Sequence, residues 1–263
     1  MLWVILLLIV GAVAVYAVAG KKIMNRIRSE RDIASYKKPV NISLDKPIIS
    51  FTFDDIPETA CVAADMLKQN NIKGTFYICM NLMDSTANNQ VFFKQESLKQ
   101  LINDGHEIAS HTFAHINCKT SDAAAITADL KQNQTVFEKF SGLSMKNFAF
   151  PYGEFDAEAK QVTASMFTSS RSIIPGINNG TTDMNLLKAI KLYENIPVQE
   201  ALDRINENTQ KKGWLIFYTH DVQDDPSIYG CSPKYFQAVL NAAKASGADI
   251  LSVQQAIDKI VRN

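Results

Sequence analysis

The chain has 263 residues, of which 46% are hydrophobic and 21% charged, with only 11 Gly and 8 Pro. This is enough to build one large core with an appendage, and it excludes a disordered, collagen-like or disulfide-scaffold protein. Lys+Arg and Asp+Glu both total 27, so the net charge is zero and no nucleic-acid partner is expected. The four cysteines, Cys61, Cys79, Cys118 and Cys231, form no Cys-x-x-Cys pair and read as ordinary thiols.

In chain order, the first feature is an uncharged apolar run from Leu2 to Ala19. As a helix it would rise roughly 27 Å, close to the thickness of a bilayer core. Residues 1–20 are therefore expected to form a single-pass transmembrane anchor. Ala17-Val18-Ala19 has the small-x-small form of a signal-peptidase site, but no Lys or Arg precedes the run, which favours the uncleaved anchor. Lys21, Lys22, Arg26, Arg28 and Arg31 follow it, with Glu30 as the one acid among them. By the positive-inside rule this flank would hold the remainder in the cytoplasm, and the side of the membrane on which the folded domain lies stays open. Residues 21–46 read as a basic juxtamembrane linker, and 47–263 as the folded domain.

In that domain, β-rich runs alternate with helical periodicity, as in repeated β-α units. Strands are predicted over 47–53, 73–79, 106–111, 147–150, 167–173, 214–220 and 248–253. Helices are predicted over 58–69, 97–103, 122–140, 198–211 and 234–245. The strands are nearly all apolar, so both faces should be covered, in an α/β barrel or a doubly wound sheet. Chemistry in such folds sits at the carboxyl ends of the strands. Those ends carry Asp54-Asp55, His111 with His115, Pro151-Tyr152-Gly153, and His220-Asp221.

Two carboxylates and three histidines on one rim form a nitrogen and oxygen donor set suited to Zn²⁺ or a similar divalent ion. If His111 and His115 occupy one helical turn, their i, i+4 spacing puts both rings on one face. A carboxylate completes three ligands and leaves a position open for water, whose pKa the ion lowers. A second carboxylate can then take the water proton, and a histidine across the site can protonate a leaving amine. Asp54 and His220 fit those two tasks.

Thr52-Phe53-Asp54-Asp55, His111-Thr112-Phe113-Ala114-His115, Phe148-Ala149-Phe150-Pro151-Tyr152-Gly153 and the strand ending in His220 together resemble the ordered motifs of the polysaccharide deacetylases, the NodB-homology carbohydrate esterases of family 4. The resemblance spans about residues 47–255. It implies a distorted (β/α)7 barrel and metal-dependent removal of N-acetyl groups from amino sugars. It also implies Asp54 as general base, Asp55, His111 and His115 as metal ligands, and His220 as general acid. The backbone NH of Tyr152 would stabilise the oxyanion.

Two departures stand out. Where many members carry a base-steadying arginine in the third motif, this chain has Ala149, and Arg171 at the end of another strand is the candidate substitute. No acid-bearing fourth motif follows residue 153, which leaves Asp183, Asp221 and Asp225 as open alternatives for orienting His220. His106, at the opposite end of its strand, reads as structural, and Trp214 and Tyr218 as core. Tyr229 and Tyr235 flank a loop that could offer a ring to a sugar. The expected partners are an acetylated glycan and, through the N-terminal run, a membrane. A wall polymer, a surface polysaccharide and a lipid-linked saccharide stay open as the glycan. An O-acetyl esterase or a non-catalytic glycan-binding protein are the rival readings.

Overall fold

The computed structural model describes residues 24–26, 28–87 and 90–262. The anchor expected over residues 1–20 lies outside them, and among the described residues no helix is long and apolar enough to cross a membrane. Eight parallel strands form the central sheet: β1 (Ile48–Asp54), β2 (Thr75–Ile78), β3 (Glu107–Ser110), β4 (Asn147–Ala149), β5 (Ser169–Arg171), β6 (Ile190–Lys191), β7 (Trp214–Thr219) and β8 (Asp249–Ile250). Their spatial order is β6-β7-β1-β2-β3-β4-β5, with β8 also paired to β1.

β7 pairs along β1 from Ile48 to Phe53, whereas β8 takes only Ile48 and Ile49 and β2 takes Thr52 to Asp54. The open side between β5 and β6 is bridged around Leu187, which pairs with Arg171: Ser172 N donates to Leu187 O at 2.9 Å, Leu187 N to Ser170 O at 2.9 Å and Ala189 N to Ile174 O at 3.0 Å. The result is a parallel α/β half-barrel distorted at this seam, where the alternating pattern left a barrel or a doubly wound sheet open and the resemblance implied a distorted (β/α)7 barrel.

Around the sheet lie α1 (Ala60–Gln69), α2 (Gln95–Asn103), α3 (Ala123–Ser141), α4 (Ala157–Met166), α5 (Val198–Lys211), α6 (Pro233–Ala245) and α7 (Val253–Arg262). All seven residues of β1 are buried, which explains its lack of polar alternation. Side chains nevertheless alternate between two environments. Ile49, Phe51, Phe53, Phe76 and Phe217 pack outward in one core with Leu67 of α1, Leu98 of α2, Ile205 of α5 and Phe236 of α6. Burying each such phenylalanine stabilises the fold by about 1.5–3 kcal/mol. Tyr77, Ala109 and Ala149 form a separate small cluster on the intervening positions, the inner face of the sheet.

The lower end of that inner face is polar and closed. Glu107 accepts from Thr75 Oγ1 at 2.9 Å, Asn147 Nδ2 at 2.7 Å and the backbone N of Gln254 at 2.8 Å. That last donor belongs to the first turn of α7, whose free N–H groups favour an anionic partner. His106 lies beside this end and accepts Gly74 N on Nδ1 at 3.0 Å, the structural role expected of it.

One boundary needs correcting. Within the segment read as a linker, residues Pro39–Ile42 pair antiparallel with Gly180–Asp183, and Ile42 and Leu44 enter a core with Ile48, Trp214 and Ile257. Proline at a strand's first position removes no needed donor, and the partner strand is 140 residues away in sequence, so nothing local announced it. The arm upstream is also tied. Buried Lys160 of α4 donates to Ile33 O at 2.8 Å and to Asp183 Oδ2 at 2.7 Å, and Asn185 Nδ2 donates to Tyr36 O at 2.8 Å. Removing one partner of a buried ion pair strands the other, so Lys160→Met should cost about 3 kcal/mol, measured as a lower midpoint in urea unfolding at an unchanged slope.

Candidate metal centre and active site

Asp54 ends β1 and leads into a turn in which Asp55 (φ 60°) and Ile56 (φ 48°) are both left-handed. The turn sends the two carboxylates different ways. Asp54 stays on the buried inner face, while Asp55 reaches the rim, with Oδ1 at 3.2 Å from His115 Nε2 and 3.7 Å from His111 Nε2. Among the described residues these three side chains bring one ligand atom each within 4.8 Å of the others. The convergence expected of Asp55, His111 and His115 is thus present.

Its local geometry is not the expected one. Residues 111–115 lie outside any helix, and Thr112 (φ 66°) and His115 (φ 52°) are left-handed, so a strained loop brings the two rings to a 5.1 Å separation. Asp129 of α3 holds that loop by accepting Phe113 N at 2.5 Å and Ala114 N at 3.3 Å. Asn133, one turn further along α3, accepts Met80 N and donates to Ile78 O and Ser110 Oγ, each at 2.9 Å. Neither residue was singled out from sequence. The available signal was two polar side chains, four apart, on the helix stripe that also carries Ile126, Leu130 and Phe137.

The donor set fits a divalent cation. His111 Nδ1 lies 2.8 Å from Ala149 O, and a carbonyl only accepts, so Nδ1 carries the proton and Nε2 turns its lone pair toward Asp55. Burial pushes the His111 imidazole down to about 3 and also lowers His115, which keeps both neutral. Burial, aided by the neighbouring Asp54 charge and opposed by His220, pushes Asp55 up to about 6. A cation in the centre would reverse that last effect.

Asp54 has a different environment. Burial alone would raise its carboxyl, but the Arg171 guanidinium bonded to it outweighs burial and holds it below the ordinary value. Arg171 Nη2 donates to Oδ1 at 2.7 Å and Oδ2 at 2.5 Å. The guanidinium lies between the rings of Tyr77, at 5.2 Å, and Tyr218, at 4.9 Å. In the sheet register Arg171 stands directly beside Ala149, one strand over at the same height. The small side chains of Ala109 and Ala149 leave that part of the inner face open to it.

His220 faces Asp55 from the other side, with Nε2 at 3.9 Å from Oδ2. None of the three acids considered for orienting it is hydrogen-bonded or ion-paired to its ring among the described residues. Asp183 receives Lys160, and Asp221 receives Ser227 and Gln223. The partner of His220 Nδ1 is the carbonyl of Tyr229, at 3.3 Å. Tyr152 is left-handed (φ 59°) and 60% exposed, with its ring edge-on to His115 at 4.4 Å. Tyr229 is exposed with its ring 5.4 Å from His220, whereas Tyr235 is buried in the core. Trp214 and Tyr218 are buried as expected.

Residues 41–167 match the family model described as polysaccharide deacetylase. The chain is 27% identical over 148 residues to a chitin deacetylase of Colletotrichum lindemuthianum, covering 56% of this chain and 58% of that protein. It is also 27% identical over 112 residues to a peptidoglycan-N-acetylglucosamine deacetylase of Bacillus cereus, covering 42% of this chain and 38% of that one. The chain thus spans a little over half the length of the first relative and under two fifths of the second. Among solved structures, the chitin deacetylase from Colletotrichum lindemuthianum superposes with a TM-score of 0.60 at 18% identity, over 83% of this chain and 90% of that one. A CE4 family pseudoenzyme from Bacillus anthracis does so with a TM-score of 0.55 at 14% identity, over 81% and 66%. These superpositions show a shared fold.

The ligand set predicts proton-coupled cation uptake. Below pH 6 the Asp55 proton has to leave before the carboxylate can ligate, so affinity should fall as pH drops through 6. Calorimetric titration with Zn²⁺ in buffers of different ionisation enthalpy should find close to one proton released at about pH 5 and almost none at about pH 8.

Proposed function

The chain belongs to the polysaccharide deacetylase family, and from that footing we propose that it is a metal-dependent hydrolase that removes N-acetyl groups from the amino sugars of a glycan. The observation that supports this most directly is the meeting of Asp55, His111 and His115, with the charged Asp54 on one side and His220 on the other. A divalent ion held by those three residues, in our reading Zn²⁺, would supply Lewis-acid polarisation of the amide carbonyl and a water of lowered pKa.

The remaining roles fall to the chain itself. Asp54 takes the proton of the attacking water, and Arg171 keeps Asp54 ionised so that it can. The Tyr152 backbone NH donates to the oxyanion as the carbonyl carbon becomes tetrahedral. His220, protonated on both nitrogens with Nδ1–H held by the Tyr229 carbonyl, delivers the Nε2 proton to the sugar nitrogen as the C–N bond breaks and is left as the Nδ1–H ring. Acetate and a free amino sugar leave. The exposed rings of Tyr229 and Tyr152 stand beside His220 and His115 and are placed to receive the sugar. Attachment to a membrane through residues 1–20 is part of the same reading. It rests on the apolar run alone, and fractionation of the full-length protein in wash and detergent steps tests it.

The deciding assay is acetate release by the full-length, Zn²⁺-loaded protein from paired N-acetylated and O-acetylated glycans. Release from the N-acetylated members supports the proposal, and release from the O-acetylated members alone makes the protein an esterase. Binding of acetylated sugar without any release makes it non-catalytic. Asp54→Asn should lower kcat by about 10²–10⁴-fold with cation stoichiometry intact. Arg171→Met should move the acid limb of the pH profile upward, because burial then raises the Asp54 carboxyl unopposed by the guanidinium. Tyr229→Ala should raise KM while changing kcat little.

A further inference from the structure

His220 ends β7, and its ring orientation is set from an unusual direction. Tyr229 O accepts three donors: the His220 backbone N at 3.2 Å, His220 Nδ1 at 3.3 Å and Thr219 Oγ1 at 3.3 Å. The side chain cannot rotate without breaking its bond to this one carbonyl. Because a carbonyl cannot donate, Nδ1 carries a proton and Nε2 faces Asp55.

The position of that carbonyl is fixed by the loop that follows β7. Asp221, next to His220 in sequence, is fully buried and has no Lys, Arg or His ion pair among the described residues. A buried carboxylate without a cation is costly unless its oxygens are fully hydrogen-bonded. Asp221 Oδ1 accepts Ser227 Oγ at 2.5 Å, and Oδ2 accepts Ser227 N at 2.8 Å and Gln223 Nε2 at 3.0 Å. Ser227 in turn receives Tyr229 N on its Oγ at 3.2 Å and Gly230 N on its carbonyl at 3.0 Å. Cys231 N closes the ring onto Asp221 O at 3.0 Å. Gly230 packs so tightly here that a Cβ would stand 2.3 Å from Asp221 Oδ1 and 2.6 Å from its backbone oxygen.

We propose that Asp221 and Ser227 are positioning residues for His220, acting through the Tyr229 carbonyl, and that this relay does the orienting work for which no directly bonded acid is present. The inference rests on the reading of His220 as proton donor to the leaving amine. It assigns the Tyr229 backbone to turnover and the Tyr229 ring to substrate capture, two roles separable by mutation.

The test uses the full-length Zn²⁺-loaded protein with Ser227→Ala, and with Asp221→Asn where that variant folds. Nitrogen-15 spectroscopy of the imidazoles reports the His220 tautomer without reference to activity. The wild type and Tyr229→Ala should show the Nδ1–H form, and Ser227→Ala a mixture of the two. Kinetically, Ser227→Ala should lower kcat by about 10–100-fold with KM and cation stoichiometry unchanged, the usual size of a lost supporting contact. An Nε2–H tautomer in the wild type overturns the proposal, as does Ser227→Ala with wild-type tautomer and kcat. If the wild type releases acetate from no substrate, the hydrolase reading fails, while the tautomer measurement still judges the relay.

Discussion

A carboxylate enclosed by aromatic rings and strand backbone stays charged when a cation is held against it, and here Arg171 does that for Asp54. Much of the architecture near the rim can be understood as accommodating this pair. The register puts Arg171 level with Ala149, and the two tyrosine rings flank the guanidinium so that Nη2 meets both carboxylate oxygens. Consecutive aspartates thereby acquire opposite tendencies. Asp54 beside the guanidinium is held ionised, whereas Asp55 tends to keep its proton until a metal takes its place. Environments that separate two like groups in this way let one short segment carry two carboxylates of different character.

The rim also stores backbone strain. Asp55, Ile56, Thr112, His115 and Tyr152 all occupy the left-handed region, including β-branched residues for which it is most unfavourable. Each such residue costs about 1–3 kcal/mol and persists only where its surroundings over-determine it. Asp129 and Asn133 supply that determination for the loop between β3 and α3, and the closed polar network around Glu107 stiffens the sheet from its other end. The site is strained at one end of a sheet whose opposite end is heavily bonded.

The strand ends were legible because a buried parallel strand is an uninterrupted apolar run, and the polar residue that terminates it is conspicuous. Asp54-Asp55, His111 and His220 were all found that way, and Arg171 could be nominated because it closes the short run Ser169-Ser170-Arg171. Contacts made by backbone atoms were not legible. Nothing in the residue types marks the Tyr229 carbonyl as the partner of His220, and the left-handed turns at Thr112 and His115 replaced the helical turn that i, i+4 spacing suggested. Pro39–Ile42 escaped notice for a third reason. Four residues pairing across most of the domain have no periodicity of their own, and only the fold brings Gly180–Asp183 to them.

That ribbon has a mechanical side. Chain entering from upstream is gripped at Ile33, Tyr36 and Lys38 before it reaches the barrel, and the grips converge on Asp183, Asn185 and the Lys160 ammonium. A pull on the N-terminal side is therefore delivered into α4 and the ribbon, not into β1 or β3. The strands that carry the aspartates and His111 are left unloaded, so the geometry of the rim is insulated from whatever tugs on the leading segment.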